Sequence, residues 1–297
     1  MTMISAIKQP KSVNMQITAR KYKKFSFLNG ILNAFLIACA IIWIFPFYWA
    51  LSCSFKTEYE MFKIPPEWLP LNPTLDNYRE LFAKTHALGW GFNSLFVAVV
   101  SMVLVCIFGC MAGYSFSKLK FRGMGVLFTL MVASMMLPKY VLLVPLFRMM
   151  KAFSWLDKYE GLIIPEVAIS IPFGVFMMRQ FIHSIPNELV ESGKIDGCTQ
   201  MGIFMKIILP LTKPAMAALA IVTFVRSWND YMWQMIVVKS NAMKTLPLGI
   251  AGLQQELLVQ YSQVMAGAIL SAFPLILVFI AFQQYFTRGL TMGAVKG

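Results

Sequence analysis

Charge is scarce in this chain, and acid is scarcer than base. Only 13% of its 297 residues are charged, 26 of them Lys or Arg and 13 Asp or Glu. A soluble domain carries about 25% charged residues. With 58% of residues hydrophobic and a mean hydropathy of +0.66, too little polar surface exists to cover a globule in water. Two histidines and five cysteines, with no Cys-x-x-Cys pair and no His-rich tract, leave a zinc or redox centre without support and no metal site is expected. Cys39, Cys53, Cys106, Cys110 and Cys198 read as small packing residues. No Gly-x4-Gly-Lys-Ser/Thr phosphate loop occurs, and no catalytic constellation is visible. The chain is therefore not expected to be an enzyme or to bind a cofactor itself.

What is present in abundance is uncharged length. Residues 25–55, 87–117 and 257–287 contain no charged side chain. A crossing helix needs about 20 apolar residues. The fold class that follows is an all-α polytopic membrane protein. Six spans can be drawn, at about 28–51, 90–115, 125–147, 162–181, 215–238 and 264–286. The third and fourth are interrupted by Lys139 and Glu166. The basic N-terminus ahead of an overlong apolar run, with no small-residue cleavage site, predicts an uncleaved first span.

Lys and Arg in the loops give the expected orientation. Lys8, Lys11, Arg20, Lys21, Lys23 and Lys24 precede span one, and Lys118, Lys120 and Arg122 follow span two, with no acid among them. The loop after span four and the tail add further bases, whereas the opposite side mixes its bases with Glu58, Glu60, Glu67, Asp76 and Glu80. Both termini are thus expected in the cytoplasm. The net charge of +13 is a topology signal and not a nucleic-acid footprint. On the outer side, Pro65, Pro66, Pro70 and Pro73 predict an extended loop before a short helix ending near Phe82.

The connection at 183–212 is unusually long for neighbouring spans. Pro186 suits a helix first turn and Glu188 favours its positive end. The helix runs to about Ile195, where Asp196-Gly197 breaks it. A second helix begins near Thr199, with Ile203, Phe204, Ile207 and Ile208 as an apolar stripe. Pro210 and Pro214 punctuate entry into span five. By spacing alone, this helix–Gly–helix is either a knob for a cytosolic partner or an amphipathic segment lying on the membrane.

The run Glu191-Ser192-Gly193-x3-Gly197-x9-Ile207-x-Leu209-Pro210 resembles the EAA loop of bacterial ABC-importer permeases. "FPFYWALSCSFKT", "NYRELF", "SWNDYMW" and the tail "FTRGLTMGAVKG" extend the likeness to carbohydrate permeases of the maltose type, over nearly the whole chain. The resemblance implies a single permease domain, 1–297, with a type I ABC importer permease fold and a cytoplasmic tail at 287–297. It implies a bacterial cytoplasmic-membrane protein working with a second homologous permease, two cytosolic ABC ATPase subunits that hold ATP and Mg, and an extracytoplasmic solute-binding protein. The substrate it implies is a sugar or oligosaccharide. Glu188, Glu191, Ser192, Gly193, Asp196, Gly197, Leu209 and Pro210 would form the ATPase coupling loop. Gly293, Lys296 and Gly297 would lie in the ATPase-contacting tail. Ser192-Gly193 departs from the usual two alanines and puts the stiffness of the helix in doubt, since Gly costs about 1 kcal/mol against Ala there. Glycerol phosphate or a polyol derivative remains an alternative substrate, and an ion-coupled secondary transporter or a membrane scaffold an alternative function.

Ionisable groups inside spans are functional candidates. Arg226 and Asp230, four apart, are expected either to line a substrate path or gate with Trp228 and Asn229, or to pair with one another structurally. Trp228, Tyr231 and Trp233 can stack on sugar or simply pack. Glu166 is expected at the membrane interface and His183 in solvent. Pro138 and Pro145 around Lys139 predict a bent span three.

Overall fold

The computed structural model describes the backbone of residues 27–254 and 259–294 and the side chains of 29–254 and 259–282. The basic N-terminal residues of the topology argument lie outside the described residues, as do Lys296 and Gly297. Among the described residues all regular structure is helical. In chain order the helices are α1 (Phe27–Ser54), α2 (Glu58–Met61), α3 (Asp76–Lys84), α4 (Ala87–Lys118), α5 (Met124–Ser134), α6 (Leu143–Ala152), α7 (Tyr159–His183) and α8 (Glu188–Ile195). They continue with α9 (Gln200–Ile203), α10 (Leu209–Leu211), α11 (Lys213–Trp228), α12 (Met232–Val237), α13 (Leu246–Leu253) and α14 (Tyr261–Ala294).

Among the described residues four helices are long and apolar enough to cross a membrane, and up to six crossings result if each of two bent pairs counts as one. The chain divides into two units, residues 1–46 and 47–297. The described part of the first is one apolar helix, the segment of α1 that ends at Pro46.

In the second unit α4 is the axis. It packs along α7 on one side and α11 on another, and the contact is close because small residues face each other. A Cβ on Gly113 would stand 2.8 Å from the Cβ of Met178, and one on Gly109 would stand 3.2 Å from the backbone of Gly174. Lipid supplies no hydrophobic drive between helices, so close backbone approach is what holds them. One core cluster gathers Val105, Tyr114, Met178, Ile182, Ile208 and Leu219. A second, towards α13 and α14, gathers Leu81, Trp90, Phe224, Trp228 and Leu246.

Span three bends as its prolines predict. α5 ends at Ser134, Pro138 caps a 3-10 turn at Lys139–Leu142, and the two halves meet at 93°. Span five departs from expectation. Its predicted single helix, 215–238, is two, because α11 stops at Trp228 and α12 starts at Met232. Span six is longer than expected, and α14 carries the helix through the start of the predicted tail to Ala294, with Gly293 in its last turn.

The loops are anchored by specific bonds. Tyr48 and Ser52 donate to the carbonyl of Trp68, folding the Pro-rich segment back against the end of α1. Glu58 accepts from the backbone N–H of Tyr261 and of Ser262, a cap for the first turn of α14. Asp157, at φ +58°, accepts from the N–H of Lys239 and of Ser240. Burial pushes its carboxyl up, but those amide bonds outweigh the burial and leave it below the usual carboxylate value.

Candidate coupling surface and intramembrane ion cluster

The 183–212 loop folds as the expected helix–Gly–helix. α8 ends at Asp196, and Gly197 takes φ +74°, the left-handed region that a side chain disfavours. Thr199 then caps α9 by accepting from the N–H of Gly202. The second helix passes through a π turn, Phe204–Ile208, into α10, where Leu209 and Pro210 sit. It meets α11 at 76°. Ile203, Phe204 and Ile208 of the predicted stripe are buried.

α8 has two faces. Val190 and Gly193 are buried, and a Cβ on Gly193 would meet Ile207 and Ile203 of the following helix. The small size of Gly193 therefore serves packing within the loop. Glu188, Leu189, Glu191, Ser192 and Ile195 point outward, with Ile195 86% exposed. The outward face thus mixes acids with the apolar Leu189 and Ile195.

The loop is braced against the end of α4. Lys118 Nζ donates to the carbonyl of Ile185 and, at 2.8 Å, to Asn187 Oδ1. Tyr114 donates to Gln200 at 2.9 Å and its ring lies 5.4 Å from that of Phe204. Arg179 donates to the carbonyl of Phe116 and stacks over Phe128. A cavity of about 740 Å³ remains between α4 and α8, lined by Lys118, Lys120, Asn187, Glu191 and Lys194. The segments flanking α8 are thereby tied to α4, which in turn packs closely on α7. The sequence did not single out Lys118 and Tyr114 for this; a lysine ending an apolar run was their only signal.

The intramembrane candidates regroup. Asp230 does not pair with Arg226, four residues away, because α11 ends between them in the 229–231 break. Asp230 Oδ2 lies instead 3.0 Å from Lys139 Nζ, which is also 2.9 Å from Glu166 Oε2. Glu166 is enclosed by protein: it is 3% exposed, and its other oxygen accepts from Ser170 at 3.3 Å. Its neighbour Lys139 makes that burial tolerable, since a lone buried carboxylate costs several kcal/mol. Trp228 is closed to any ligand. It is 2% exposed, stacks on Phe224 and donates to the carbonyl of Ser271. Trp233 is likewise buried, donating to the carbonyl of Gly161. Asn229 is exposed and borders a cavity of about 280 Å³ with Pro247, Ile250 and Ser271. Arg226 and His183 are exposed.

An all-helical bundle of broken and continuous spans, with a braced helix–Gly–helix between spans four and five, defines a multi-pass membrane permease of the ABC-importer kind. Residues 105–292 match the family described as binding-protein-dependent transport system inner membrane component, and the chain belongs to it. It is 34% identical to the arabinooligosaccharides transport system permease protein AraQ of Bacillus subtilis, over 94% of this chain and 99% of that protein. It is 32% identical to the galactooligosaccharides transport system permease protein GanQ of Bacillus subtilis, over 94% and 98%. A 32% match to the sulfoquinovosyl glycerol transport system permease protein SmoH of Agrobacterium fabrum covers 92% and 96%. The fold is shared with a chain of a bacterial ABC transporter involved in import of the acidic polysaccharide alginate, at TM-score 0.77, 23% identity, and coverage of 90% and 100%.

Proposed function

We propose that this chain is one of two permease subunits of an ATP-driven importer for a sugar or small oligosaccharide, and that the outer face of α8 docks a separate ATPase. The observation that carries the reading is the exposed row Glu188, Glu191, Ser192 and Ile195 on a helix whose other face packs on the second helix of the loop. Relatives named for arabino- and galactooligosaccharides support the substrate class. ATP and Mg would be held by the two ATPase subunits, and an extracytoplasmic solute-binding protein would deliver the ligand to the heterodimer. Both termini would be cytoplasmic, in a bacterial inner membrane. Asp196 and Gly197 would aim α8, while Leu209 and Pro210 would turn the chain back into span five. Gly293, Lys296 and Gly297 would reach the ATPase from the tail.

A second reading, transport of a glycerol-linked sugar, is favoured by the relative named for sulfoquinovosyl glycerol. The ligand retained by the cognate solute-binding protein separates the two. The transport reading is tested in vesicles holding this chain, its partner permease and the ATPase, with binding protein and labelled oligosaccharide outside. Uptake is expected to follow ATP supplied at the ATPase side. Uptake that ignores ATP and follows a proton gradient would overturn it.

A further inference from the structure

Lys139, Glu166 and Asp230 come from three separate parts of the chain and meet at one point. Two of them sit where a span is interrupted. Lys139 opens the 3-10 turn just beyond the 93° break of span three, and Asp230 lies in the gap between α11 and α12. Glu166 stands on α7, which is continuous there. Seventeen residues of α7 separate Glu166 from His183, about 26 Å at 1.5 Å per residue. The cluster is therefore remote from the α8 surface, towards the opposite end of the bundle.

Interrupted helices are where segments pivot with least disruption, because their backbone ladder is already broken. An ionic contact across such joints has two states. Closed and dry, two carboxylates hold one ammonium strongly; parted and hydrated, each charge is satisfied by water and the attraction collapses. Apolar packing would hold the same segments without this choice, and buried ion pairs are not needed for stability alone. The exposures add a direction. The side chain of Glu166 is 4% exposed and also bonded to Ser170 on its own helix, whereas that of Lys139 is 28% exposed. The cluster is more open on the Lys139 side, and Glu166 is its better-held anchor.

We propose that Lys139 is the hub of an ionic latch that holds the interrupted parts of spans three and five against α7, and that translocation requires the latch to part. This rests on the transporter reading above. The three residues are positioning residues and need not touch the substrate.

The test uses the full complex in vesicles. Tyr140→Cys and Met232→Cys, both exposed and next to the latch, leave its charges intact. A short reducible cross-linker between them is expected to stop ATP-driven uptake, with reductant restoring it, while each chain carrying only one of the two substitutions, and the parent with its five native cysteines, keeps transporting when treated alike. In the neutral variant Lys139→Met, Glu166→Gln, Asp230→Asn, ATP hydrolysis without binding protein is expected to rise severalfold towards the stimulated rate. If that variant fails to accumulate, the cross-link decides alone. Unimpaired uptake across a verified cross-link would overturn the latch while leaving the transporter reading intact. Unmodified complex whose uptake ignores ATP would remove the transporter reading itself.

Discussion

Single residues decide how close the helices of this bundle come. Gly113 of α4 has no room for even a methyl group, since its Cβ would fall 2.8 Å from that of Met178 and 2.9 Å from the backbone N of Arg179. Gly125, at the start of α5, faces open space. The same change therefore has opposite expected effects. Gly113→Ala should destabilise the protein by about 1–3 kcal/mol through overpacking, and Gly125→Ala should be neutral or stabilise by about 1 kcal/mol through helix propensity. Thermal unfolding of the two variants in detergent reads the difference, and equal Tm values would rule out the close α4–α7 contact as a determinant. Residue identity alone misled elsewhere. Asp230 and Arg226 stand four apart in the sequence, the spacing of helical neighbours, yet the helix ends between them and Asp230 pairs with a lysine 91 positions away.

At the scale of elements, the helix–Gly–helix of 183–212 is the part whose local sequence and final form agree best. Its turn depends on one backbone angle, φ +74° at Gly197. Proline is held near φ −65° and cannot adopt it, whereas Asn visits the left-handed region with little penalty. Gly197→Pro is expected to leave the protein inserted and the complex hydrolysing ATP, with uptake lost because α8 is no longer aimed. Gly197→Asn should keep uptake near that of the parent. The ratio of sugar transported to ATP hydrolysed is the measurement, and an unchanged ratio in the proline variant would argue against α8 as a lever. Broken spans show the other side of this scale. Span three bends where Pro138 and Pro145 announce it, but span five stops at Trp228 without a proline or glycine to mark the place.

For the whole molecule, the asymmetry of Lys and Arg sets an orientation that can be checked directly. Reporter fusions ending after Lys120 should report cytoplasm and those ending after Lys158 should report the outside; the reverse pattern would invert the proposed topology and put α8 out of reach of a cytosolic motor. The bend of span three and the form of the α8 loop were legible without coordinates. They depend on local chemistry: proline against the helix ladder, glycine at a left-handed angle. Which charges meet was not legible. Glu166 reads as an interfacial acid and Trp228 as a candidate ligand contact, because position along a span says nothing about which face is covered. Only the packing of span three against α7, and of α11 against α4 and α14, carried Glu166 to Lys139 and Trp228 into the core. By itself, the order of residues determined a membrane-crossing helical permease with a helix–Gly–helix loop. The tertiary structure decided its ion cluster and its braces, since a charge inside a low-dielectric bundle takes whichever opposite charge the fold brings within reach.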